Sequence, residues 1–155
     1  MSKLKEGDKA PAFKAKDQDG NLVSLSDFKD KNLILYFYPG DDTPTCTKEA
    51  CNYRDNYQSL LSQGFSVVGV SFDNEKSHKK FIKKYSLPFP LIADPDKKII
   101  EDYGVWGEKT LFGRNYMGTL RTTFVIDKKG VIKHIIGKVD SGHASQQVLD
   151  LLKQK

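Results

Sequence analysis

The sequence predicts an α/β fold, a central mixed β-sheet flanked by helices, and three observations carry that prediction. Strand and helix signals alternate along the chain, with no internal repeat, low-complexity tract or linker. Leu33-Ile34-Leu35-Tyr36-Phe37-Tyr38 is continuously apolar and aromatic, the pattern of a strand buried on both faces. Between it and a valine-rich run at Phe65 to Ser71, residues Ala50, Tyr53, Tyr57, Leu60 and Leu61 fall at helical spacing on one face.

Pro39-Gly40 ends the first of these strands. Strand, helix and strand in that order predict a right-handed βαβ unit with parallel strands. Asp73 or Asn74 is positioned to cap the next helix, whose inner face is Phe81, Ile82 and Tyr85, and Leu87-Pro88 stops it. Leu91 to Ala93 reads as a short third strand, and a brief helix near Lys97 to Tyr103 ends at Gly104. Thr122 to Asp127 and Val131 to Ile136 are two strands joined by Lys128-Lys129-Gly130 in a tight hairpin. Ser141 to Lys153 is a helix with Ala144, Val148, Leu151 and Leu152 facing inward. A βαβ unit, then a hairpin, then a helix is the thioredoxin arrangement with insertions, expected here as one domain over residues 1–155.

Composition narrows the function. Hydrophobic content of 38% with 29% charged residues is that of a globular chain. The longest apolar run, Leu33 to Tyr38, is far short of the roughly 20 residues that cross a bilayer. Met1 to Ala10 is lysine-rich with no apolar stretch behind it, so a soluble, cytoplasmic protein is expected. The net charge of +5 shows no basic stripe with interleaved aromatics, which argues against a nucleic-acid partner. Lys79, Lys80, Lys83 and Lys84 fall late in a helix, where they complement its dipole. His78, His134 and His143 read as isolated surface or loop residues, and Trp106, Leu111, Phe112, Tyr116 and Met117 as core or packing residues.

The two cysteines, Cys46 and Cys51, are the only sulfur nucleophiles. Cys46 follows the first central strand and falls in the first turn of the next helix, with Thr43 or Thr45 as cap and Glu49 as a capping-box partner. Free N–H groups and the positive end of the helix dipole stabilise a thiolate there. A small buried hydrophobe is the plainer reading of Cys46, since it shares a face with Ala50. On an ideal helix a five-residue step rises about 7.5 Å and turns about 140°, leaving the Cα atoms roughly 8–9 Å apart. A disulfide wants them within about 7 Å, so the two sulfurs bond only if the start of the helix unwinds. A permanent staple is therefore not expected.

Tyr36 to Asp55, reading YFYPGDDTPTCTKEACNYRD, resembles the active-site motif of the peroxiredoxins, most closely the bacterioferritin comigratory protein or Q-type subfamily. The pattern Pro-x-x-x-Thr-x-x-Cys falls on Pro39, Thr43 and Cys46, and the resolving cysteine of many Q-type members falls on Cys51. Tyr103 to Lys109, Gly113 to Gly118 and Arg121 to Asp127 extend the resemblance, which runs from about Gly7 to the C-terminus. Thr45 departs from the glycine found in many members. The resemblance implies a thiol-dependent peroxidase with an atypical two-cysteine cycle. Cys46 attacks hydrogen peroxide or an organic hydroperoxide and becomes a sulfenic acid. Cys51 condenses with it to an intramolecular disulfide, and thioredoxin or a similar dithiol reduces that bond. Arg121 stabilises the thiolate and the breaking O–O bond, Thr43 and the Cys46 N–H hold the peroxide, Pro39 shields the sulfenate, and Glu49 orients Arg121.

Two other readings stand beside this one. A thioredoxin-like oxidoreductase uses Cys-x-x-Cys, whereas four residues separate the cysteines here. A metal module would combine Cys46 and Cys51 with some of the three histidines, but no second paired ligand set has suitable spacing. No glycine-rich phosphate loop is present, so no bound cofactor is expected and electrons must come from another protein or a small thiol. Nothing marks an obligate interface, and a monomer is expected.

Overall fold

Leu33 to Tyr38 are all buried, and they divide between two cores. Ile34, Tyr36 and Tyr38 join one cluster with Ala50, Tyr53, Phe81 and Val148. Leu33, Leu35 and Phe37 join another with Phe13, Val70, Ile99, Ile100 and Phe124. Alternate side chains of one strand thus feed opposite faces of a sheet, which is why no polar residue interrupts the run.

The computed structural model describes residues 4–153, so positions 1–3 and 154–155 of the expected domain, and the side chain of Leu111, lie outside the described residues. In chain order the elements begin with β1 (Lys14–Lys16), β2 (Leu22–Ser24), a 3-10 turn (Leu25–Phe28) and β3 (Asn32–Phe37). Next come α1 (Pro44–Asp55), α2 (Tyr57–Ser62), β4 (Phe65–Ser71), α3 (Glu75–Tyr85), β5 (Leu91–Ala93) and α4 (Lys98–Asp102). The chain closes with β6 (Trp106–Leu111), β7 (Arg114–Thr119), β8 (Thr122–Ile126), β9 (Ile132–Ile136), a second 3-10 turn (Ser141–His143) and α5 (Ala144–Lys153). The main sheet has the order β5-β4-β3-β8-β9, while β1-β2 and β6-β7 form separate two-stranded ribbons. Strands β3, β4 and β5 run parallel, and β8 and β9 are antiparallel to their neighbours. The sheet is therefore mixed, as expected of the thioredoxin arrangement.

The helix expected between β3 and β4 is interrupted at Asn56 (φ −109°, ψ 8°), giving α1 and α2 instead of one rod. Asn74 rather than Asp73 caps α3, its side chain accepting from the Ser77 N–H at 2.9 Å. In the β8–β9 hairpin, Gly130 takes φ +79° and Asp127 accepts from the Lys129 and Val131 amides. Four strands, β1 and β2 of three residues each and β6 and β7 of six each, are not expected from the pattern. On the β6–β7 ribbon, Phe112 is 95% exposed and Tyr116 and Met117 are also exposed, so these are not core residues. Among the described residues, no helix is long and apolar enough to cross a membrane.

Gly69 sits where β4 packs against its neighbours. A Cβ there would lie 2.7 Å from Leu91 Cδ2 and 2.9 Å from Tyr36 Cζ. Gly69→Ala is expected to cost about 1–3 kcal/mol of stability, read as a lower denaturant midpoint with an unchanged slope.

Candidate active site

The parallel β3–β4 pair leaves the end of β3 facing the N-terminus of α1, and the connecting loop carries Pro39, half-buried, and Thr43. Thr43 is the N-cap: its backbone is extended (φ −87°, ψ 155°) and its Oγ1 accepts from the Cys46 N–H at 3.3 Å. Pro44 takes the first helical position, where its missing N–H costs no hydrogen bond. That choice puts Thr45 inside the helix and Cys46 at the third position, among the free amides of the first turn. The expected capping box with Glu49 does not form. Glu49 lies a turn further on and points into the protein.

Arg121 arrives from the other direction. The antiparallel register pairs Phe37 with Thr122, which carries Arg121 to the level of Tyr38, at the end of β3. Its Nη2 donates to Cys46 Sγ at 3.1 Å and its Nη1 to Glu49 Oε1 at 2.6 Å. Cys46 is 1% exposed and Glu49 0%, while the Arg121 side chain keeps 18% of its surface in solvent. The guanidinium is therefore the accessible part of a buried triad, and both groups it touches hold it in place.

The electrostatics follow from burial. Loss of water pushes the Glu49 carboxyl up to about 7, although the Arg121 charge and hydrogen bond pull the other way. Burial works against the Arg121 charge too, but Cys46 and Glu49 beside it more than compensate, and its pKa moves upward. Burial raises the hydroxyls of Tyr36 and Tyr53, and the nearby Glu49 adds to this, so the floor of the site stays uncharged. Lys109 is lowered, first by burial and then by the Arg121 charge, which places a second cation near the same sulfur.

Thr43, Cys46, Glu49 and Arg121 are thus brought together, with Pro39 on the same loop. Cys51 is partly buried further along α1, and both cysteines are free thiols on a continuous helix, as their spacing requires. His78 departs from expectation. His78 is fully buried and bonds Asp41 Oδ2 at 2.7 Å and the Ile92 carbonyl at 2.9 Å. Its offset to Phe81, Ile82 and Tyr85 is the helical 0, 3, 4, 7 pattern, a signal for burial in the sequence itself. His134 and His143 pair separately with Glu6 and Asp140. Among the described residues the one group of side chains with metal-ligating geometry is Asp41, Asp73 and His78, which includes neither cysteine.

A putative peroxiredoxin bcp of Coxiella burnetii is 47% identical over 146 residues, covering 94% of this chain and 97% of that protein. The AhpC/TSA family model matches residues 6–135. The chain belongs to the AhpC/TSA family, among its Bcp/PrxQ peroxiredoxins. Xylella fastidiosa PrxQ, solved as a cysteine-to-serine mutant, superimposes on this peroxiredoxin with a TM-score of 0.91 at 29% identity, covering 99% of this chain and 98% of that one. The bacterioferritin comigratory protein of Xanthomonas campestris has a TM-score of 0.84 at 30% identity, covering 91% of this chain and 90% of that one; its structure comes from work on its alkyl peroxide reduction activity. This peroxiredoxin is a thiol-dependent peroxidase with the thioredoxin-like fold.

Glu49 makes a prediction for stability. Its folded pKa, about 7, lies above the ordinary 4.5, so between these values the folded state keeps a proton that the unfolded state has released. Stability from this group is therefore lost as pH rises from about 4.5 to about 7 and is constant above. Urea midpoints measured across that window should fall with pH in the wild type relative to Glu49→Gln, in which this contribution is absent.

Proposed function

We propose that Cys46 is the peroxidatic nucleophile and that Arg121 is the group that makes it one. The observation that carries the reading is the single guanidinium donating to both Cys46 Sγ and Glu49 Oε1. A permanent positive charge at hydrogen-bond distance favours the thiolate over the thiol. The Cys46 sulfur attacks the terminal peroxide oxygen, an S–O bond forms as the O–O bond breaks, and sulfur supplies the two electrons. The leaving alkoxide or hydroxide takes up a proton and departs as alcohol or water, and Cys46 is left as a sulfenic acid.

Arg121 is placed to share the negative charge that develops on both oxygens, and Glu49 holds its other amino group. Thr43 Oγ1 and the Cys46 N–H already bond each other at 3.3 Å, a long contact that leaves both free to engage a peroxide. Pro39 borders the same loop and screens the oxidised sulfur from bulk water. The resolving step follows. Cys51 as thiolate attacks the Cys46 sulfur, an S–S bond forms, the S–O bond breaks, and hydroxide leaves with a proton as water. Thioredoxin or a similar dithiol then reduces the disulfide by exchange. The protein works as a cytoplasmic monomer of one domain, on hydrogen peroxide and alkyl hydroperoxides. The relative from Xanthomonas campestris, studied for alkyl peroxide reduction, supports the latter class.

Cys51→Ser is expected to complete one turnover of peroxide at nearly the wild-type rate and to lose rapid recycling by thioredoxin. Sustained thioredoxin-dependent turnover in that variant would remove Cys51 from the cycle. Arg121→Met should slow the reaction of Cys46 with peroxide by about 10²–10³-fold, measured by stopped flow at fixed pH.

A further inference from the structure

The loop in front of Cys46 is gripped by a buried histidine–aspartate pair that the peroxidase reaction, as described, does not use. His78 lies on the inner face of α3, 0% exposed. Its Nε2 faces the Ile92 carbonyl at 2.9 Å, and a carbonyl only accepts, so this nitrogen carries a hydrogen. Its Nδ1 faces Asp41 Oδ2 at 2.7 Å. The same carboxyl group accepts from Tyr38 Oη at 2.7 Å and from Ser77 Oγ at 2.7 Å. The His78 ring is thus held at both nitrogens, and Asp41 is held by His78, Tyr38 and Ser77 together. The Asp41 backbone is fixed as well, its N–H donating to Asp73 Oδ2 at 2.9 Å.

Asp41 lies two residues after Pro39 and two before Thr43. We propose that His78 is a positioning residue for the peroxidase reaction, clamping Asp41 so that the loop before α1 stays in the peroxide-binding arrangement and resists the unwinding that Cys51 needs. The proposal rests on the roles assigned above to Cys46 and Cys51.

Two anchors bound the segment that must move. On one side is the Asp41–His78 pair, followed by Asp42, whose φ of 57° is held by bonds from Lys84 Nζ and Tyr85 Oη at 2.8 Å each. On the other side Asn52 donates to the Gly142 carbonyl and accepts from the Ser145 N–H and Oγ, all at 2.9 Å. Cys51 adjoins the second anchor and stays with the body of α1. Unwinding therefore falls on Thr43 to Glu49, the turn that carries Cys46, its cap and the Arg121 partner. Every interaction that keeps the loop in place favours attack on peroxide and opposes the next step, in which Cys51 displaces hydroxide from the Cys46 sulfenic acid. The clamp acts on the balance between the two arrangements.

The test is stopped-flow oxidation of wild type, His78→Gln and the double variant Asp41→Asn/His78→Gln, which leaves no buried charge unpaired if the single variant folds poorly. The peroxide-dependent phase reports oxidation of Cys46 and the peroxide-independent phase reports disulfide formation. The variants are expected to slow the first and speed the second, raising their ratio about tenfold, a bias of about 1.4 kcal/mol between the arrangements. The fraction of Cys46 over-oxidised to sulfinic acid per turnover, read by mass spectrometry, should fall in step. Unchanged phases, or two phases that slow together as general loss of structure would make them, overturn the clamp. A first phase that persists in Cys46→Ser overturns instead the assignment of the nucleophile.

Discussion

The Arg121 guanidinium is the interaction on which the site depends. It meets a buried sulfur with one amino group and a buried carboxylate with the other, at 3.1 and 2.6 Å. Neither partner is at ease without it. Glu49 has lost its water, and only the arginine opposes the upward drift of its pKa. The arginine gains its direction from Glu49 and its position from the β3–β8 register, where one residue of slip would turn its side chain to the opposite face. The proposed catalytic charge thus stands one residue before β8, beside the centre of the sheet, rather than far along a free loop.

The proposed nucleophile is built differently. Cys46 owes its place to a cap, a proline and one turn of helix, all local features at the exposed start of α1. That locality matters because the same turn has to open for a disulfide to form with Cys51. A nucleophile deeper in the helix would gain rigidity and lose its resolving partner. The site therefore joins a fixed half, Arg121 beside the sheet, to a half that can be remade. Thr43, Cys46 and Glu49 belong to the second half, bounded by the clamped Asp41.

What could be read from the sequence depended on how strong the local pattern was. Strands β4 and β5 have the limits their valine- and isoleucine-rich runs predicted, because flanking turns confine them. The ribbons β1-β2 and β6-β7 are not legible because their residues are largely polar and exposed, and the few buried ones, such as Val23 and Thr119, set up no alternation. The break at Asn56 escaped notice since Tyr57 and Leu60 keep helical spacing across it. At the site, the motif makes Cys46, Thr43, Arg121 and the Glu49–Arg121 pairing legible, whereas the capping role also expected of Glu49 fails because its position is one turn too late. His78 was misread for a related reason. A polar residue looks like surface until a carboxyl group 37 residues away in sequence is found against it.

The central claim, that peroxide reacts at the Cys46 sulfur, is tested most directly by stopped-flow oxidation of wild type and Cys46→Ser with hydrogen peroxide and cumene hydroperoxide. The wild type should show a rapid phase, second order in protein and peroxide, that forms one sulfenic acid or disulfide per chain, and Cys46→Ser should show no such phase. Rapid oxidation of the Cys46→Ser protein, at Cys51 or elsewhere, would contradict the account.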